Sequence, residues 1–294
     1  IPQCVSCEAR ASMSARAPDC TTTGCREVFL SAQASQRANA AESVGLGDSI
    51  ICLDELATTA ECQTLCEEAR IAAINEFDCQ RRPSSKYAMT TPARVRMPLA
   101  DFLDCADVGL CDTILRRALG RVPLLVGKQL GHEPGAAAET SAGHAIWRSV
   151  IGNNNLNFSD GEPAINVYRV GGCFKPHEDK MALTVLVPLS DAASGAFEGG
   201  GTAFWSTEDP GSLRCANGGH IASSQAPSVP PTLIVQAAAG TALVFTGTVT
   251  HAALAVVAGE RTILVASFSN SCRTADPLAH AMPGLMAGLE GLLP

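Results

Sequence analysis

The sequence predicts an α+β protein, a mostly β core with α-helical support that precedes it in the chain. Three observations predict this. Apolar residues recur at helical spacing between residues 59 and 119. The period switches to two after Gly152-Asn-Asn-Asn-Leu-Asn, and the runs that follow are short and punctuated by Gly, Pro, Ser and Asp. The 294 residues, 46% hydrophobic and only 4% aromatic, suffice for one large domain or a domain with a sizeable extension.

Residues 1–58 are expected to form a Cys-rich N-terminal extension, because Ala, Ser, Thr and Cys dominate the first 50 with little periodic signal. The reading there is loops and short helices held by cross-links. Residues 59–160 form a helical support region. From Thr59, the residues Leu65, Ala69, Ala72, Ala73, Ile74 and Phe77 share one helix face while Glu67, Glu68 and Arg70 face water. Tyr87 to Pro98 is polar and interrupted by proline, hence a connection or an edge strand. A second helix is expected over Ala100 to Leu119, with Phe102, Leu103, Ala106, Leu110, Ile114, Leu115 and Ala118 on one face and Gly120 placed to stop it. Shorter elements follow over Leu124 to Leu130 and Ala142 to Ile151.

Residues 161–271 form the core. Strands are expected near Ala164 to Val170, Met181 to Leu189, Thr202 to Trp205, Leu233 to Gln236, Ala242 to Phe245, Ala252 to Val257 and Thr262 to Phe268. That count suits a double-stranded β-helix, the two-sheet jelly-roll class. The Gly-, Ser- and Pro-rich insertion from Ser206 to Pro231 is a candidate lid, and 272–294 reads as a C-terminal tail.

Composition narrows the function classes. Net charge is -8, and the densest basic spots, Arg81-Arg82, Arg94 to Arg96 and Arg116 to Arg121, are too small for a phosphate-neutralising face. No nucleic-acid partner is expected. No apolar run approaches eighteen residues, so no membrane span is expected either. Ten of the thirteen cysteines precede residue 112, which suggests disulfides in the secretory pathway, the extracellular space or an organelle lumen. Zinc bound through Cys4, Cys7, Cys20 and Cys25, and unpaired buried thiols, are the competing readings. Cys62 and Cys66, one helical turn apart, serve as a staple in the first reading and as small core residues in the last. A chain that starts at Ile1 without an apolar leader is compatible with a targeting segment already removed.

The chemistry gathers in Tyr168-Arg-Val-Gly-Gly-Cys-Phe-Lys-Pro-His-Glu-Asp179. Side chains two apart on an extended strand share a side, so His177 and Asp179 can reach one ion. A third ligand, His251, follows the buried strand Gly240-Thr-Ala-Leu-Val-Phe245. Two His and one carboxylate with positions left open make the facial triad of non-haem Fe(II) oxygenases. Ten residues further on, Arg261 opens an apolar strand where a cationic fork can grip a carboxylate. The other histidines, His132, His144, His220 and His280, lack such context, and only His220 is placed to approach a barrel mouth.

From about Val167 to Asn270 the chain resembles the iron and 2-oxoglutarate dependent dioxygenases, most closely their prolyl 4-hydroxylase-like branch. Tyr168, Gly171, Phe174 and Pro176 stand where that family has its Tyr-x-x-Gly-x-x-aromatic-x-Pro run. Thr184 to Leu186 match its Thr-x-Leu strand, and Gly199-Gly-Gly-Thr-Ala-Phe204 its Gly-Gly-x-Thr-x-Phe turn. The resemblance implies Fe(II) on His177, Asp179 and His251, and the far carboxylate of the cosubstrate 2-oxoglutarate on Arg261, with Tyr168 and Thr184 as further contacts. It implies O2 as oxidant, admits ascorbate, and makes the reaction a C-H activation, hydroxylation or oxidative cyclisation, with release of succinate and CO2. Arg169 and Trp205 are candidate substrate contacts.

Two departures bear on the substrate. Thr262 stands where prolyl hydroxylases commonly carry Trp, and no tyrosine answers their second-strand Tyr around Val187 and Pro188. The substrate is therefore expected to be peptidyl proline or, by preference, a small amino-acid-like molecule of secondary metabolism. The alternative to an enzyme is a non-catalytic metal- or ligand-binding jelly roll whose Cys-rich half contacts a partner. The sequence leaves the oligomeric state open.

Overall fold

The computed structural model describes residues 5–6, 24–79, 89–91, 93–131, 149–206 and 230–271, with side chains described for 24–74, 93–131, 149–206 and 230–271. In its first half, β1 (Val5–Ser6), β2 (Cys25–Phe29), α1 (Ala40–Gly45) and β3 (Ser49–Leu53) precede α2 (Thr59–Cys79). Then come β4 (Met89–Thr91), β5 (Arg94–Pro98), α3 (Leu99–Phe102), α4 (Cys105–Arg121) and α5 (Pro123–Leu130). Helix α2 opens on a reciprocal cap: Glu61 N–H donates to Thr58 Oγ1 (3.2 Å) while Thr58 N–H donates to the Glu61 carboxylate (2.8 Å). Helix α5 starts on Pro123, whose missing N–H is no loss there, and ends at Gly131 with φ 73°.

The second half holds β6 (Leu156–Phe158), β7 (Ala164–Tyr168), β8 (Phe174–His177), β9 (Leu183–Pro188), β10 (Phe197–Gly199) and β11 (Thr202–Phe204). It closes with β12 (Leu233–Gln236), β13 (Ala242–Phe245), β14 (His251–Ala253), β15 (Val256–Gly259) and β16 (Arg261–Asn270). Two sheets face each other. The larger runs β2-β3-β13-β9-β16-β7-β5-β4, with β6 also on β16; the smaller runs β1-β12-β11-β14-β8. Strands β7, β16, β9 and β13 facing β8, β14, β11 and β12 make a jelly roll, mostly antiparallel, with helices behind the larger sheet.

Alternation along each strand of the larger sheet decides what faces where. Ala266, Val185, Val244 and Ile51 lie side by side across four strands and pack against Leu65, Ala69, Ile114, Leu115 and Leu119 from the helices. The residues between them, such as Ile263, Val265, Leu186, Leu243 and Phe245, point between the sheets and meet Phe204, Leu233, Val235 and Val249. Burying one such side chain is worth ~1.5–3 kcal/mol. A slip of one residue would exchange the two faces and drive Arg261 and Thr184 into the helix layer, so this pattern fixes the register on which the site depends.

Four expectations change. The boundary at residue 58 disappears: β2 and β3 belong to the larger sheet, β3 pairing with β13. Residues 94–98 form an internal strand, paired with β4 on one side and β7 on the other. The helix expected over Ala100 to Leu119 is two helices, because Asp104 caps a new start by accepting from Ala106 N–H and Asp107 N–H, and α4 runs through Gly120 to Arg121. The strand expected over Ala252 to Val257 is split into β14 and β15. Residues 207–229, most of 142–151 and the tail from 272 lie outside the described residues.

No disulfide joins any two of the described cysteines, and Cys62, Cys66, Cys105, Cys111 and Cys173 are free thiols. Cys62 and Cys111 are buried in the helix-facing core as small apolar groups, so the staple expected of Cys62 and Cys66 is corrected. Cys4, Cys7, Cys20, Cys79, Cys215 and Cys272 fall outside the described side chains. Burial, reinforced by neighbouring Cys66 and Glu61 at Cys62 and by Asp107 at Cys111, raises both thiols to about 12. Iodoacetamide at neutral pH is expected to label the exposed Cys105 and Cys173 and to spare Cys62 and Cys111 until the protein unfolds, as peptide mass mapping would show. Equal labelling of all four in the folded protein would contradict this packing.

Candidate metal centre

Strand β8 ends on His177 and β14 begins on His251, and the two residues are direct partners across the smaller sheet. Asp179 lies past the end of β8, so the shared-strand geometry expected from its spacing is not what brings it in. A backbone clamp does. Lys180 N–H donates to Gly247 O (3.0 Å) and Gly247 N–H to Met181 O (3.1 Å), tying the turn that carries Asp179 to the turn that leads to His251. Only glycine fits at 247, since a Cβ there would lie 2.4 Å from Met181 O and 2.5 Å from Met181 N.

The donor atoms of His177, Asp179 and His251 lie within 4.8 Å of one another. Asp179 Oδ1 is 3.3 Å from His177 Nε2 and Asp179 Oδ2 is 3.6 Å from His251 Nε2. Each ring is oriented by its other nitrogen. His177 Nδ1 meets Lys175 O at 2.9 Å and His251 Nδ1 meets Val249 O at 3.0 Å. A carbonyl can only accept, so each Nδ1 carries a proton and each Nε2 faces the cluster. Thr184 Oγ1 donates to Asp179 Oδ2 at 2.6 Å. Around His251 stand Phe245 (ring centroids 4.8 Å apart), Phe204 (6.3 Å) and His177 (4.3 Å).

This environment shifts His251 and Asp179 towards the forms that bind a divalent metal. Burial drives His251 down to about 4, with His177 adding to the shift and Asp179 opposing it. Burial pushes Asp179 upward, but the two imidazoles and Thr184 together hold it well below the usual carboxylate range. Two imidazole nitrogens and one carboxylate, closely spaced, fit Fe(II) or another first-row divalent ion. In the metal-free protein, an unfolded His251 takes up its proton near 6.5 whereas the folded one resists until about 4. Stability is therefore expected to fall as pH drops from 6.5 towards 4, because the unfolded state binds more protons in that window. Chemical denaturation at several pH values checks this, with His251→Gln showing a shallower dependence.

A cleft open to solvent is lined by the triad together with Tyr168, Thr202, Arg94, Arg96, Asn166 and Phe174. Arg261, 3% exposed, is not itself a lining residue but contacts one that is, donating from Nη1 to Gly201 O (3.0 Å) and from Nη2 to Thr202 Oγ1 (2.9 Å). Among the described residues no carboxylate pairs with it; its neighbour Glu260 instead binds Arg169 at 3.2 Å. Burial lowers the guanidinium to about 10, with Tyr168 opposing, so it stays charged at neutral pH. Tyr168 lines the cleft and is the direct cross-strand partner of Arg261.

Other expected site residues sit elsewhere. Thr184 spends its proton on Asp179, which makes it a support for a ligand rather than a hand on a cosubstrate. Arg169 pairs with Glu260, and Trp205 packs with Ala203, Ile234 and Ala252 and is not itself among the residues that line the cleft. Thr262 faces the helix layer, where Cys66 hydrogen-bonds it, so the residue standing in for the family's Trp does not touch the cleft. His132, His144, His220 and His280 lie outside the described residues. The sequence reading missed Arg94, Asn166 and Thr202. For Arg94 the signal was the alternation Arg94-Val95-Arg96-Met97, which puts both arginines on one face.

Among solved structures, the chain is similar to a prolyl-4-hydroxylase from Pseudomonas putida, at 15% identity and TM-score 0.43, covering 78% of this chain and 95% of that one. It is similar to HygX from Streptomyces hygroscopicus with nickel and 2-oxoglutarate bound, at 12% identity and TM-score 0.45, covering 78% and 85%. It is similar also to AviO1 from Streptomyces viridochromogenes, at 14% identity and TM-score 0.44, covering 79% and 94%. No protein-family model and no curated protein matches the chain.

Proposed function

We propose that this chain is a non-haem Fe(II)- and 2-oxoglutarate-dependent oxygenase that activates a C-H bond of a small amino-acid-like substrate, by hydroxylation or oxidative cyclisation, with release of succinate and CO2. The observation that carries the reading is a metal-ligand cluster and a buried cation joined through the lining of one cleft. A three-donor cluster shares the cleft with Tyr168 and Thr202, which contact a buried guanidinium whose described partners are only a carbonyl and a hydroxyl. A buried cation is costly without an anion, and a dicarboxylate that also chelates a metal supplies one.

In this reading His177 Nε2, His251 Nε2 and an Asp179 oxygen hold ferrous iron, and Thr184 keeps the Asp179 carboxylate turned towards it. When bound, the iron and keto acid supply the oxidising power against a C-H bond, with O2 as oxidant. Arg261, Thr202 and Tyr168 receive the far carboxylate of the cosubstrate. Phe204 and Phe245 shield the His251 side from water, which strengthens each charged contact inside. A peptidyl-proline substrate is the less favoured variant, because no tyrosine stands around Val187 and Pro188 where prolyl hydroxylases carry one.

The test is turnover. Protein given Fe(II), O2 and 2-oxoglutarate is expected to form succinate slowly by itself and faster with free amino-acid derivatives. Acceleration by proline-rich peptides alone would remove the small-molecule variant. No consumption of 2-oxoglutarate under any of these conditions would overturn the oxygenase reading and leave a binding module.

A further inference from the structure

The turn that follows β13, Thr246-Gly-Thr-Val249, serves two of the three ligands at once. Gly247 clamps the segment that carries Asp179, through Lys180 N–H and Met181 O, and Val249 O takes the Nδ1 proton that orients His251 (3.0 Å). The turn is closed on itself, with Val249 N–H donating to Thr246 O at 3.0 Å. A shift at Thr246 is therefore passed to Gly247 and to Val249, and from them to Asp179 and His251.

This turn has an anchor far away in the sequence. Thr246, 3% exposed, donates from Oγ1 to Val44 O at 3.2 Å, across 202 positions of the chain. Val44 lies on α1 and its side chain belongs to the helix-facing core. Thr248 Oγ1 stands 3.1 Å from Thr246 Oγ1. A carbonyl can only accept, so the Thr246 proton goes to Val44 O and Thr248 is the donor in the hydroxyl pair. Val44 O also accepts from Gly47 N–H at 2.9 Å, so α1 does not need Thr246 to satisfy that carbonyl. Burying a hydroxyl is costly unless it is hydrogen-bonded, and an apolar side chain would fill the position without that demand. What the hydroxyl adds is direction, which apolar contact lacks.

We infer that Thr246 is a positioning residue for the metal centre: its bond to Val44 O pins the 246–249 turn to α1, and through Gly247 and Val249 it sets where Asp179 and His251 present their donor atoms. The inference rests on the triad of the oxygenase reading and extends the site beyond the cleft. Among the described residues none before Arg94 lines that cleft, yet α1 takes part in metal affinity through one hydroxyl. The segment before β3 thus serves the site as a fixed reference against which the ligand-bearing turn is held.

Calorimetric titration of the full chain with Ni(II), after metal is stripped with a chelator, tests this beside the visible spectrum of the Co(II)-loaded protein, whose d–d bands report donor geometry. Thr246→Val is expected to weaken Ni(II) binding about tenfold, the low end of what losing an outer-shell partner costs, and to alter the Co(II) bands. Thr246→Ser keeps the hydroxyl and should recover most of the affinity with the wild-type bands. Ile51→Val, which removes a methyl from the helix-facing core, should lower the melting temperature and leave both metal readouts unchanged, separating position from stability. The inference is overturned if Thr246→Val binds Ni(II) like wild type with the same Co(II) bands, if Ile51→Val weakens Ni(II) as much, or if Thr246→Ser recovers nothing. Should circular dichroism show Thr246→Val unfolded, Thr248→Val, at a partly exposed position, carries the test. It should give a smaller loss of affinity in the same direction, and no loss there overturns the inference. Wild type that takes up neither ion counts against the metal centre, hence the oxygenase reading, and removes this inference with it.

Discussion

Arg261→Leu is expected to raise the 2-oxoglutarate concentration needed for half-saturation by roughly a hundredfold to several thousandfold while leaving iron binding unchanged. Removing one partner from a buried ion pair costs about 3–5 kcal/mol because the other charge is stranded, and each ~1.4 kcal/mol is a factor of ten. Arg261→Lys should fall between the two, since an ammonium keeps the charge but loses the fork that now bonds Gly201 O and Thr202 Oγ1 at once. Stability should move the other way. Without cosubstrate the buried guanidinium has only neutral described partners, so an apolar replacement is expected to leave the melting temperature unchanged or raise it. Titrations of 2-oxoglutarate dependence beside thermal melts separate the two effects. A Leu variant that keeps wild-type cosubstrate dependence but melts early would make Arg261 a structural residue.

His251→Ala is expected to abolish turnover and weaken iron binding by well over ~100-fold, since even loss of an outer-shell partner of a metal ligand costs about 10- to 100-fold. His177→Ala should behave likewise. The folds should survive, because neither imidazole is part of the helix-facing core and each Nδ1 bonds only a carbonyl two residues away. His251→Ala also opens a void against Phe204 and Phe245, so a modest loss of stability is expected there and less at the more exposed His177. Iron content after desalting and circular dichroism read the two quantities independently. Near wild-type activity in either variant would mean that the triad is misassigned.

What was legible in the sequence follows from how strongly each feature is dictated by residue type. Metal ligation needs particular donors, so His177, Asp179 and His251 stood out, and the structure places their donor atoms together. The cause was misread for Asp179, whose approach depends on the contact of Gly247 with Met181, a tertiary feature that no local spacing encodes. A strand with one face towards the helices and one towards the cleft can alternate visibly, as β7 does with Ile165 and Val167 on one side and Asn166 and Tyr168 on the other. Strand β3 is buried on both faces, so Ser49-Ile-Ile-Cys-Leu53 shows no period, and its cysteine drew attention to cross-links instead. Thr262 shows the limit of carrying a family position across: its meaning depends on which face of β16 it occupies, and it faces α2 rather than the cleft.

The most direct test of the central claim is an anaerobic titration of the Fe(II)-loaded protein with 2-oxoglutarate, followed by visible absorption. Chelation of ferrous iron by a keto acid gives a charge-transfer band that neither component shows alone. The account predicts a saturable band with one equivalent of iron, absent in His251→Ala and shifted to far higher 2-oxoglutarate concentrations in Arg261→Leu. Iron that binds at the triad and gives no band at any 2-oxoglutarate concentration would contradict it.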